Sequence, residues 1–283
     1  MINIEYILLL FTVIACFLKH KHISIVTLVC SIATAYFYGT IDYYGLSAII
    51  GFYAITHTYF QRDIAAKFTK LVLLIIILAV TVLLSFHMIP GFKNALAIDL
   101  ITISPHSIPF SMYLNFDKTI VGIILFMNSG LYNRETLPDA KSLITTFKLL
   151  FLCSTILMSL GLLCRYIEFD FKIPDILLLW CINNLFFVCM AEEVIFRGII
   201  QNNLEPLSSN KYLSLALASL IFGSAHFKGG ISYISLASIA GGFYGLAYQK
   251  TGRILCAMLV HFGLNLTHFI LFTYPAASKI GSI

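Results

Sequence analysis

Residues 173–198 read IPDILLLWCINNLFFVCMAEEVIFRG, and this stretch decides the fold class. It is apolar for long enough to cross a bilayer as a helix, since a span needs about 20 such residues. Near its end stand two adjacent carboxylates, Glu192 and Glu193, and then Arg197. Ionisable groups at hydrocarbon depth are costly, so a pair of them in such a run marks a site.

The rest of the chain is built in the same way. Of 283 residues, 59% are hydrophobic and 11% charged, against roughly 25% charged in soluble domains. That excludes an ordinary soluble globular domain. Apolar runs recur at about 5–18, 23–39, 41–60, 71–90, 119–132, 143–164, 174–200, 212–227, 230–249 and 253–274, broken at charged or Pro/Gly positions. Eight are convincing, and the first and the 119–132 run are short. The expected architecture is therefore all-α, a polytopic transmembrane helix bundle of about eight to ten spans. Residues 90–118, with three prolines and mixed polarity, read as a long loop and as the one substantial extramembrane segment.

The net charge is +5, but the 18 Lys and Arg residues lie scattered between apolar segments. They are topology signals rather than a nucleic-acid patch, and no nucleic-acid partner is expected. With all ten runs spanning, their slight asymmetry puts both termini outside and the loop after Arg197 in the cytoplasm. The first run follows Glu5 with no Lys or Arg and no small-x-small cleavage site, so it is expected to stay as a helix. The seven cysteines form no CxxC pair and no zinc spacing, and read as small buried hydrophobes.

The chemistry concentrates in the last four runs. On an α-helix Glu193 and Arg197, four apart, are nearly eclipsed and neutralise one another. Glu192 is turned about 100° away from Glu193 and is left as a carboxylate available for general-base work. The plainer alternative is a helix end at headgroup level with Arg197 snorkelling. His226 follows Phe222 by four residues, and His261, Asn265 and His268 form one stripe on the last run. Polar groups on separate intramembrane helices meet their hydrogen-bonding needs by meeting one another. Gly241 and Gly245 stand at GxxxG spacing, which lets the helices bearing His226 and His261 approach closely.

In order and spacing, Glu192-Glu193-Val-Ile-Phe-Arg197, Phe222-Gly-Ser-Ala-His226 and His261-Phe-Gly-Leu-Asn265 resemble the EExxxR, FxxxH and HxxxN/D motifs of the CPBP family, the CAAX-prenyl-protease and bacteriocin-processing (Abi) intramembrane endopeptidases. The resemblance covers about residues 173–273 and divides the chain into N-terminal helices, 1–172, and a catalytic core, 173–283. It implies a conical cavity within the membrane and hydrolysis by glutamate-activated water. Glu192 would activate the water with His226 assisting, and His261 and Asn265 would donate to the oxyanion. Glu193, Arg197 and Phe222 would support the site or contact substrate. No cofactor is implied by that mechanism. A zinc-dependent version would use Glu192, His226 and His261, although no HExxH helix is present. The expected partners are a peptide or protein substrate at the membrane and the lipid bilayer, with a monomer as the default. Localisation would be integral membrane, multi-pass, in the inner membrane if the chain is bacterial. Two non-protease readings stand beside this one: a proton-coupled transporter using Glu192, His226, His261 and His268, and a scaffold or immunity factor without turnover.

Overall fold

In a computed structural model that describes residues 3–208 and 210–278, most of the chain is helical. The helices are α1 (Ile4–Phe17), α2 (Lys21–Phe37), α3 (Tyr43–Gln61), α4 (Lys67–Ser85), α5 (Phe116–Asn128), α6 (Leu131–Arg134), α7 (Ala140–Leu163), α8 (Leu177–Ser208), α9 (Lys211–Ser224), α10 (Gly230–Thr251) and α11 (Ile254–Leu271). The chain forms two compact units. One comprises residues 1–97, 113–137 and 186–195, and the other residues 98–112, 138–185 and 196–283.

Helix starts follow local chemistry. Asp42 caps α3 by accepting from the Tyr44 and Gly45 amides, and Asp139 caps α7 through Ser142. Asn210 does the same for α9 through Tyr212 and Leu213, and Gly252, at φ 70°, closes α10 in the left-handed conformation.

Among the described residues, five helices are long and apolar enough to cross a membrane: α4, α7, α8, α10 with its preceding turn, and α11. Helices α1, α2 and α9 are apolar but shorter. Large apolar side chains are exposed along these elements, for example Leu71, Ile75 and Val82 on α4 and Phe147, Phe151 and Leu152 on α7. Such faces suit a hydrocarbon solvent and not water.

Two sequence expectations need correction. The 119–132 run is not a span: α5 has 13 residues, about 20 Å of helix against a hydrocarbon core of about 30 Å. Nearly all of its side chains are buried, so its apolarity serves the interior of its unit. Residues 90–118 are not simply a loop either. Ala95–Ile101 (β1) and Phe110–Leu114 (β2) pair in a two-stranded sheet, with the prolines at 105 and 109 confined to the connection, where no ladder hydrogen bond is lost. All seven cysteines are free thiols. Cys16, Cys153, Cys189 and Cys256 are buried as expected, but Cys30 and Cys164 are exposed.

In the first unit α1 and α2 are joined by polar contacts, Thr12 Oγ1 to Thr27 Oγ1 at 2.9 Å and Ser31 Oγ to the Glu5 carbonyl at 2.7 Å. Helix α5 runs through the same unit and touches the middle of α8. A Cβ on Gly122 would lie 2.7 Å from the Ala191 Cα and 3.0 Å from its Cβ, so only glycine permits this approach. Gly122→Val is expected to lower stability by about 1–3 kcal/mol, the usual cost of overpacking, because the obstacle is main chain that cannot swing aside. Thermal unfolding in detergent measures this, and an unchanged midpoint would contradict the packing described.

In the second unit Trp180 of α8 is buried and stacks on Phe269 of α11, with centroids 4.2 Å apart and planes at 17°. Tyr274 packs beside the stacked pair, 4.8 Å from Phe269 and 5.9 Å from Trp180. This aromatic cluster fixes the start of α8 against the helix that carries His261 and Asn265.

Candidate active site

Helix α8 carries the acidic pair between two irregular stretches. Residues Asn183–Cys189 and Val194–Gln201 are π-helical, and only Met190–Glu193 between them has α-helical turns. In a π turn hydrogen bonds run i→i+5, and such turns in natural helices are frequent at functional sites.

In the first unit Glu192 and Glu193 are 6% and 0% exposed. Lys118, on the first turn of α5, places its ammonium 2.5 Å from Glu192 Oε1. Both side chains are largely out of solvent, at 17% and 8% exposure. The position of Lys118 is set by Asp117, which is buried. Asp117 accepts from the Lys118 amide at 2.8 Å, from Asn94 Nδ2 at 3.0 Å and from His87 Nδ1 at 2.7 Å. Asn94 in turn accepts the Phe116 amide at 2.8 Å, so two of the amides that open α5 are occupied by side chains.

The other motif residues lie in the second unit, where Phe222 is the centre. Its ring, 1% exposed, meets Phe196 at 5.0 Å, Tyr244 at 5.7 Å and His261 at 5.7 Å, each edge to face. The Arg197 guanidinium lies over the same ring, 5.2 Å from its centroid, and is fully buried. The cation thus faces the negative side of an aromatic quadrupole in a desolvated place, where that attraction is strongest.

The GxxxG pair makes room for this arginine. A Cβ on Gly241 would come to 3.4 Å of one guanidinium nitrogen, and one on Gly245 to 3.4 Å of the other. Gly241 also faces Ser219 and Phe222 of α9, so α10 packs tightly on the helix leading to His226.

His226 follows the end of α9, half-buried, with its ring 4.6 Å from Phe222. Its Nδ1 is 2.8 Å from the Phe222 carbonyl oxygen. A carbonyl only accepts, so Nδ1 carries the proton and Nε2 is the basic nitrogen of the neutral ring. His261 is buried and stacks on Tyr244, with centroids 4.3 Å apart and planes at 13°. Asn265 donates from Nδ2 to Asn184 Oδ1 at 3.2 Å, which orients the amide. His268, the third member of the expected stripe, is turned to the Thr273 carbonyl at 3.0 Å and to the Tyr274 ring at 5.2 Å. It closes the end of α11.

Phe222, His226, His261 and Arg197 are thus brought together in one unit, while Glu192 and Glu193 lie in the other beside Lys118. Lys118 was missed as a site residue. From sequence it is one of many cations at the edge of an apolar run, and its partner is 74 residues away.

Residues 174–267 match the family model described as type II CAAX prenyl endopeptidase, Rce1-like. That segment contains all seven motif residues, from Glu192 to Asn265. The fold is helical, with several helices long and apolar enough to cross a membrane, and the matched segment is similar to a family of peptidases. The match covers about a third of the chain and is a likeness of that segment to the CPBP/CAAX protease family. No curated protein and no solved structure matches the chain.

Proposed function

We propose that the protein is an intramembrane endopeptidase that hydrolyses a peptide bond within or near the bilayer by glutamate-activated water. The observation that carries this is the family match over residues 174–267, in which every motif position holds a chemically competent side chain. Glu192 takes a proton from water, and His226, through Nε2, assists that transfer. His261 and Asn265 donate to the oxyanion of the tetrahedral intermediate, the step at which preorganised donors contribute most. Arg197 and Phe222 hold the second-unit residues in place, and Glu193 supports the acidic turn. The substrate is a peptide or protein reached at the membrane, and a monomer is the working form.

The donor set fits the metal-free form better than a zinc site made of Glu192, His226 and His261. Glu192 already faces an ammonium at 2.5 Å, and a dication on the same carboxylate would be repelled by it.

The test compares the N- and C-termini of membrane proteins in cells expressing wild type with those in cells expressing Glu192→Gln at equal level. New termini that require Glu192 are expected, and they name the substrate. Identical termini, with the wild-type protein correctly inserted, would overturn the proposal.

A further inference from the structure

Lys118 lies outside the matched family segment and on a helix for which no motif provides a guide. Three observations set it apart from a surface lysine. Its ammonium is 2.5 Å from Glu192 Oε1 and largely removed from solvent. Its backbone is fixed by a buried carboxylate, Asp117, which is itself held by His87 and Asn94. Gly122, four residues on and therefore on the same face of α5, lets that helix touch Ala191, the residue before Glu192. Close approach and side-chain reach are arranged by one helix toward one carboxylate.

We propose that Lys118 is a positioning residue for Glu192, holding the general base in one rotamer and compensating its charge. The inference rests on the assignment of Glu192 as that base. A carboxylate has about four lone-pair sites, and one ammonium at Oε1 does not saturate it for work on water. A buried carboxylate without a cation is costly to keep ionised, and one without a fixed partner samples several rotamers. Either departure lowers the fraction of the enzyme with its base in line, because small misplacements of a reacting group cost large factors in rate. The ammonium acts through Glu192, so its loss should reach turnover and leave substrate binding alone.

The experiment measures kcat and KM for the substrate found from the new termini, using full-length protein in detergent or proteoliposomes. Four proteins are compared: wild type, Glu192→Gln, Lys118→Met and Lys118→Arg. Lys118→Met, of similar length without the charge, is expected to lose about 10- to 100-fold in kcat with KM changed less than threefold. Lys118→Arg, which keeps a cation of different shape, should regain a large part of that loss. Wild-type kcat in Lys118→Met would overturn the inference. So would a loss expressed mainly in KM, or a Lys118→Arg protein as slow as Lys118→Met. Should Lys118→Met prove too unstable to purify, Lys118→Gln, which keeps a donor but no charge, takes its place under the same criteria. Glu192→Gln separates the two levels of argument. Wild-type cleavage there removes the underlying assignment, whereas a silent Glu192→Gln beside a fully active Lys118→Met removes only the role of Lys118.

Discussion

Purified Glu192→Gln protein is expected to cleave its substrate about 10²- to 10⁴-fold more slowly than wild type, the range associated with loss of a general base. Glutamine keeps the shape and one acceptor oxygen but cannot take a proton from water. The substitution also leaves the Lys118 ammonium facing an amide, and a hydrogen bond to a charged group contributes about 1.5–3 kcal/mol. With Lys118 17% exposed, residual hydration offsets part of that, so a stability loss of about 1–2 kcal/mol is expected. The double variant Lys118→Met/Glu192→Gln discriminates the two effects, since removing both charges of a buried pair costs less than removing one. It should recover most of the lost stability and none of the activity. Recovery of cleavage in the double variant would mean that Glu192 acts on structure and not on water.

The second large effect concerns Phe222. Its side chain is buried, and its ring is shared by Phe196, Arg197, His226, Tyr244 and His261. Truncation to alanine is expected to cost about 3–5 kcal/mol, made up of lost burial and the cavity left behind. The cavity would open beside a buried guanidinium, whose aromatic partner would be gone, so the upper half of that range is expected. Phe222→Leu, which restores most of the volume but no quadrupole, should fall between the two. Thermal unfolding of the three proteins checks this order. A Phe222→Leu midpoint equal to that of wild type would show that the ring's contact with Arg197 and the two histidines contributes nothing beyond filling space, and a Phe222→Ala midpoint equal to that of wild type would contradict the core described.

Much of the helical architecture was legible because membrane helices announce themselves by length and apolarity. The runs beginning near 5, 23, 41, 71, 143, 174, 212, 230 and 253 all became helices close to the expected limits. Composition could not distinguish a helix facing lipid from one facing protein, and so α5 read as a short span although its side chains are inside. The β1–β2 pair was hidden by the prolines around it, which mark the connection and not the strands. At the site, the motif residues were visible as polar groups in apolar runs. The Arg197–Phe222 stack was not, because it is a tertiary contact between α8 and α9 that spacing along the chain does not give. Lys118 was illegible for a different reason: its meaning depends on a tertiary contact with the distant Glu192, and pattern along the chain carries no such information.

The π-helical turns on either side of Met190–Glu193 have a consequence for the length of the chain itself. Wide turns hold more residues than the α-helix they interrupt, so α8 carries slack that a deletion could remove without breaking the helix. Loss of one residue from Asn183–Cys189 would let that stretch close into ordinary α turns with nearly the same net rotation, whereas a second loss would come out of α turns and rotate everything after it by about 100°. Only that second loss would change the phase of the residues that follow the stretch. Substitutions along this segment are graded in effect, but its residue count acts in steps: the wide turns absorb the first deletion, and the next one shifts the phase.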